Sequence, residues 1–290
     1  MDALTLNSLG PPEGVARGQF VITARRLASG LAPGSDASSR VASGLEYAES
    51  RPYQAGDSVR RLDWRQTARR GHPYTRDYEA LKRLPVFLVV DTSASMAAGS
   101  TRISKLDAGV WLATVLGLAS LNRMSPVAVI DAGEGGFASK PSLRSSDLWL
   151  ALGHLGSRVG GSGTDIAAAL RRVQARAPST SMVVVLSDFH DPLAIDAMSR
   201  CAVQHDTLAL HLTDPAEASP IRAGFMPARE AETGVAFLAR SGTVWTRNES
   251  IRAAFLRNGC DYLRIEPHRP FLAPLRAFLS SRTGFSRRAR

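Results

Sequence analysis

Cysteine is almost missing: the 290-residue chain has two, Cys201 and Cys260, and no Cys-x-x-Cys pair. That excludes a disulfide-stapled scaffold and a zinc-thiolate site, and predicts two buried, reduced thiols. Long apolar runs are missing too. The longest, Val110 to Leu121, has twelve residues, short of the roughly 20 that a membrane-crossing helix needs. Met1 to Gly14 contains no basic residue and no apolar core, so no secretory signal is read there and a cytoplasmic protein is expected. Nothing matches Gly-x-x-x-x-Gly-Lys-Ser/Thr or Gly-x-Ser-x-Gly, which argues against a nucleotide-driven motor and a serine-hydrolase elbow. Acidic residues are outnumbered, 26 against 36 Lys and Arg, for a formal charge of +10. Such a balance favours acidic partners: nucleic acid, anionic lipid or an acidic protein surface.

What is present is a globular composition, 44% hydrophobic and 21% charged, with chemistry concentrated at the ends of apolar runs. Val86 to Val90 is continuously apolar and runs into Asp91, the pattern of a strand buried on both faces that ends at a crevice. Asp91, Ser93 and Ser95 then alternate, so one carboxylate and two hydroxyls share a side. These hard oxygen donors suit Mg²⁺ or Mn²⁺ better than zinc or copper. A glycine-rich loop, Gly160 to Asp165, brings Thr164 to the start of a helix expected from Ile166 to Ala175. Met182 to Ser187 is a second apolar strand, ending at Asp188. Each piece alone is equally explained by turn or capping chemistry; the ordered set of three argues for one shared site.

Asp-x-Ser-x-Ser, with the later threonine and aspartate, resembles the metal-ion-dependent adhesion site (MIDAS) of von Willebrand factor A domains. Upstream, Arg51, Tyr53, Gly56, Asp57, Arg60, Asp63, Trp64, Ala68 and Arg69 are similar to the signature of the bacterial DUF58 family, which precedes such a domain. Thr213 to Glu217 and Glu232 to Gly234 resemble the family's Asp-Pro-x-Glu and Glu-Thr-Gly elements. The resemblance implies metal ligands Asp91, Ser93, Ser95, Thr164 and Asp188, with hydroxyls on the ion, one or both aspartates acting through water, and an open position for an incoming carboxylate. It also implies a non-enzymatic adaptor or cochaperone that works with a MoxR-type AAA+ ATPase in maturing a client complex.

Alternating strands and helices predict an α/β fold with a doubly wound, mostly parallel sheet, von Willebrand A-like or Rossmann-like. The expected layout is an Arg/Asp-rich segment over residues 1–84, the metal-binding domain over 85–215, and a small α+β extension with a basic tail over 216–290. Within the first segment a short helix is expected at Phe20 to Leu31. Gly44 to Arg69 shows no clean helical or strand period, which suits an ion-paired surface or a docking face for an acidic partner. Further expectations are a helix at Lys105 to Leu121, an edge strand at Phe137 to Lys140, a hairpin around Glu232 to Gly234, and a last helix at Phe271 to Leu279.

Two rival functions are open at this level. One is a Mg²⁺-dependent phosphoryl-transfer hydrolase with Asp91 as nucleophile. Haloacid-dehalogenase-type enzymes carry a second aspartate two positions on, where this chain has Ser93; His190 and Asp191 are the nearby candidate bases. The other is a basic nucleic-acid binder using Tyr53, Trp64, Tyr74 and Tyr78 for stacking, although no nucleic-acid-binding motif accompanies them.

Overall fold

The computed structural model describes residues 45–54, 57–59, 62–80, 84–156, 163–191, 193–218, 225–229, 236–240 and 248–281. The helix expected at Phe20 to Leu31, the Glu232 to Gly234 turn and the basic tail lie outside these residues. The chain divides into two compact units, one over Ser35–Arg83 and one containing Leu84–Arg290.

In the smaller unit, β1 (Leu45–Pro52) pairs antiparallel with β2 (Tyr74–Ala80), with an irregular register between Tyr47 and Glu49. Between them runs α1 (Trp64–Arg70). No residue of this helix is buried, which is why no apolar period announces it; caps specify it instead. Asp63 accepts from the amides of Arg65 and Gln66, and Gly71 closes the other end at φ +72°, its N–H reaching the Thr67 carbonyl. Thr67 and Asp63 also bond the backbone of Tyr74, tying the helix to β2.

The larger unit is built on β3 (Val86–Val90), followed by the helical turn α2 (Ala94–Ala97), α3 (Lys105–Asn122), β4 (Val127–Asp131), α4 (Ser145–Gly156), α5 (Ile166–Arg176) and β5 (Met182–Ser187). Then come α6 (Ala194–Ala202), β6 (Asp206–Leu212), the turn α7 (Pro215–Ala218), and the strands β7 (Phe225–Arg229) and β8 (Ala236–Arg240). The unit ends with α8 (Asn248–Arg257), β9 (Asp261–Ile265) and α9 (Leu272–Ser281). Five strands form one parallel sheet in the order β4-β3-β5-β6-β9. The β7–β8 hairpin is a separate antiparallel pair.

Period-two alternation splits the core. Leu88 and Val90 of β3 face one layer, with Trp111, Leu152, Phe271 and Leu275. Phe87 and Val89 face the other, with Ile166, Val173, Met198 and Phe255. Helices therefore cover both faces of the sheet. Cys201 and Cys260 are buried and unbridged, and burial pushes the Cys201 thiol up to about 12. Among the described residues no helix is long and apolar enough to cross a membrane.

Two expectations change. Part of the stretch expected as an extension joins the sheet: β9 is its fifth strand, parallel to β6, and Phe271, just ahead of α9, packs its ring edge-on against Trp111 of α3, 5.9 Å between centroids. A strand added at a sheet edge after a long excursion leaves no local mark of where it will pair. Phe137 to Lys140 is no regular strand; residues 137–142 meet β4 through isolated antiparallel bridges, Ile130 with Ala138 and Val127 with Ser142, and through the Val129 amide, which donates to Ser139 Oγ at 2.8 Å.

Candidate metal centre

The strand order turns at β3 and β5: the chain passes from β3 to β4 on one side, and the later strands add on the other. Ligand crevices of open α/β sheets form at such a point, beyond the carboxyl ends of the strands. Asp91 follows β3 and Asp188 follows β5, and the Asp91 amide bonds the Leu186 carbonyl at 3.0 Å. Asp91 is 1% exposed. Its Oδ1 accepts from the Ser93 amide at 3.0 Å and the Thr164 hydroxyl at 2.8 Å, and its Oδ2 from the Ser187 hydroxyl at 2.6 Å. The Ser93 and Ser95 hydroxyls lie 2.9 Å apart, and Ser95 is near enough to Asp188 to help hold its carboxyl low. Asp91, Ser93, Ser95, Thr164 and Asp188 thus form one cluster.

Capping does not account for these side chains. Ser93 stands at the N-cap of α2 but makes no side-chain capping bond. The N-cap of α5 is Asp165, which accepts from the Ala168 amide at 2.7 Å, so the Thr164 hydroxyl is released to Asp91. Backbone bonds fix the threonine loop against the end of β4: Glu134 N–H to Gly163 O at 3.0 Å and Asp165 N–H to Ala132 O at 2.8 Å. Beneath it, Asp131 Oδ1 accepts from Thr92 Oγ1 at 2.6 Å and from the Gly133 amide at 2.8 Å. A Cβ on Gly133 would lie 2.4 Å from Thr92 Oγ1. Gly133→Ala is therefore expected to force Thr92 off Asp131 and lower stability by about 1–3 kcal/mol; chemical denaturation measures it, and an unchanged midpoint would contradict the tight approach. Phe189 adopts φ +52°, held by ring contacts to Phe255 at 4.8 Å and His211 at 5.6 Å. Backbone strain of this kind, sustained by packing, sits directly after Asp188.

Lys105 and Ser187 carry no mark of the site in the sequence, and Lys105 matters most. At the first position of α3 it is 1% exposed, and its ammonium donates to Asp188 Oδ2 at 2.8 Å and, more closely, to Glu217 of α7. A cation at a helix N-terminus opposes the helix dipole, and this one heads a helix whose only other charged residue is Asp107. Those two oddities set Lys105 apart but do not point to the site. Lys105 bonds none of Asp91, Ser93, Ser95 or Thr164, so its ammonium does not neutralise the hydroxyl-lined side of the cluster. Asp188, read from sequence as a ligand alone, is also the counter-ion of Lys105. Asp188, His190 and Glu217 also lie close enough together to hold a metal, but the cation between those two carboxylates is Lys105. Asp214 accepts from the Ser100 amide at 2.8 Å and from the Ser100 hydroxyl, which ties the loop after α2 to the loop after β6.

Burial and the nearby Asp188 charge together push the Asp91 carboxyl above its usual range. Burial pulls the other way at Asp188, but the Lys105 ammonium, with His190 and the Lys105 and Ser95 hydrogen bonds, holds it below. Burial likewise opposes the charged form of Lys105, and the Asp188 and Glu217 charges hold its pKa above the ordinary lysine value. With every carboxylate ionised, three negative charges face one ammonium and two remain, the charge of one divalent ion. Hydroxyls from two loops beside a carboxylate that lacks a cationic partner among the described residues make a donor set that fits Mg²⁺ or Mn²⁺.

In the signature segment, Arg51 forms a bidentate pair with Asp57 at 2.9 and 2.8 Å. Asp63 adds the Ser50 hydroxyl at 2.7 Å to its capping bonds. Tyr53 is half-buried, with its amide on the Pro73 carbonyl, while Trp64 and Arg69 are exposed. Gly56 and Arg60 lie outside the described residues.

The model of a family described as "Protein of unknown function DUF58" matches residues 49–262. An uncharacterized protein of Mycobacterium tuberculosis and one of Mycobacterium bovis are each 31% identical over 197 residues, 66% of this chain and 62% of theirs. The match thus spans less than two thirds of these relatives' length. A crystal structure of an uncharacterized membrane-spanning protein from Vibrio fischeri aligns with 67% of this chain and 96% of its own, at 15% identity and a TM-score of 0.23, too low to bear on the fold.

Proposed function

The chain belongs to the DUF58 family, and from that premise and the cluster at the β3–β5 crevice we propose that it is a metal-dependent protein-interaction module of the von Willebrand A type. Mg²⁺ or Mn²⁺ would be held by the hydroxyls of Ser93, Ser95 and Thr164 with Asp91 behind them, and Asp188 beside the ion. The metal supplies an electrophilic position for a carboxylate of the partner. The observation that carries this reading is Asp91: a buried carboxylate with three hydrogen-bond donors and, among the described residues, no cation, in contact with hydroxyls that are themselves hard ligands. The rest of the site positions. Lys105 holds Asp188, Glu217 balances Lys105, and the Ala132–Glu134 backbone holds Thr164. The partner expected from the family resemblance is a MoxR-type AAA+ ATPase, with this protein as its cochaperone toward a client. Binding to such an ATPase should be lost in a chelator and restored by Mg²⁺ in a pull-down; chelator-insensitive binding would count against the proposal.

Hydrolysis is the weaker reading, because the Asp91 oxygens already accept three bonds and the side chain is sealed from solvent. Turnover of p-nitrophenyl phosphate that is lost on Asp91→Asn would reverse that ranking.

The pH dependence has a definite sign. Asp91 has a raised folded-state pKa, so its contribution to stability is present below its unfolded pKa and is lost as pH rises through the folded one. Metal requires the ionised form and displaces the proton. Stabilisation by Mg²⁺ should therefore grow with pH across the raised Asp91 pKa, read as the Mg²⁺-induced shift in melting temperature at acidic and neutral pH. A shift that shrinks with rising pH would exclude Asp91 from the metal site.

A further inference from the structure

Structural duties in the smaller unit occupy Asp57 and Asp63, the two acids that lead into α1. Asp57 is committed to Arg51, and Asp63 to the helix cap and Ser50. On α1 itself, Trp64, Arg65, Ala68 and Arg69 are all exposed, with Trp64 at 67%. At about 100° per residue these four fill one continuous arc of roughly 140°, and the opposite side carries Thr67, whose hydroxyl is bonded to β2. Neither Arg65 nor Arg69 has a carboxylate partner among the described residues, and the first turn of the helix contains no acid. The result is an open indole beside a small alanine, with two guanidinium groups on the far side of the alanine.

We propose that this face of α1 is a second binding surface, independent of the metal centre, and that its ligand is an acidic protein segment with an aromatic or aliphatic anchor. Trp and Arg are the side chains that dominate interface energetics, Trp through rigid apolar area and Arg through paired bonds to carboxylates. A strand of nucleic acid fits less well, since stacking successive bases needs several open rings. Here the Arg70 guanidinium covers the Tyr74 ring, 5.2 Å from its centroid, and Tyr53 is half-buried, so among the described Tyr and Trp side chains of this unit Trp64 alone is open.

The test uses the full chain and a fluorescein-labelled Glu/Asp-rich peptide containing one Phe, with oligo-dT of equal length as competitor, all in fluorescence anisotropy. Trp64→Ala should weaken peptide binding about tenfold, as for an interface hot spot. Trp64→Phe should retain most of it, and the double variant Arg65→Glu/Arg69→Glu should abolish it. Because those arginines are exposed, the double variant decides the matter even where Trp64→Ala disturbs the helix. Asp91→Asn and chelator should change nothing, which separates failure here from failure of the metal reading. Unchanged affinity in the double variant overturns the proposal. So does oligo-dT that competes as well as unlabelled peptide, or a wild-type dimer in sedimentation that dissociates on Trp64→Ala, which would make the occupant a second copy of the chain.

Discussion

Asp91→Asn is expected to abolish Mg²⁺ binding while leaving the metal-free protein as stable as the wild type, or more so. The amide keeps an acceptor oxygen for Ser93 and Thr164 or for Ser187 and removes a charge that is costly where it sits, since burial and Asp188 both disfavour the carboxylate. What it loses is the anion opposite the ion. Removing even an outer-sphere group costs about 10–100-fold in metal affinity, so for Asp91 a loss of about a hundredfold or more is expected by isothermal titration calorimetry, together with disappearance of the Mg²⁺-induced melting shift. Most buried-site substitutions lower stability and function together. Separation of the two, with metal binding gone and the melting temperature in chelator unchanged or higher, is specific to a site that holds negative charge for a cation. A fall in melting temperature with the Mg²⁺ shift intact would show that Asp91 is only a structural acceptor.

Lys105→Met is expected to do the reverse. It leaves Asp188 and Glu217 without their cation in a place where Lys105 and Asp188 side chains are 1% and 2% exposed. Breaking a buried pair from one side costs about 3–5 kcal/mol, on the order of 10 °C in melting temperature. The defect should be worst at neutral pH. Asp188 is held below its usual range by Lys105, so the pair's contribution is present above the unfolded carboxylate pKa and is lost as pH falls through the lower folded one; the wild-type advantage therefore narrows in acid. Two rescues should work. Glu217→Gln in the same chain removes one of the stranded charges, and Mg²⁺ should stabilise Lys105→Met more than the wild type, because the site has become more negative. Thermal melts of the single and double variants with and without Mg²⁺ measure both, and a single variant as stable as the wild type would mean the ion pair is not held in solution.

Lys105 also marks where reading the sequence stops. The strand ends were legible because a strand covered on both faces must be apolar throughout, so Asp91 and Asp188 stand out beside Val86–Val90 and Met182–Ser187. Spacing two apart made Ser93 and Ser95 legible. Ser187 was not, since a serine closing an apolar strand looks like an ordinary strand end until its hydroxyl is found on Asp91. Helix α1 was hidden for a different reason: its caps, Asp63 and Gly71, define it, and it has no buried face to impose a period.

The sequence by itself determined which segments of the parallel sheet are strands, which oxygens end them, and the order in which they come, because burial and side-chain alternation act between near neighbours in the chain. Only the tertiary structure decided that Lys105 meets Asp188 83 positions away and Glu217 112 away, and that β9 returns to pair with β6. Both depend on where separate elements dock across the sheet, and a contact made by docking leaves no periodic trace in either of the stretches that make it.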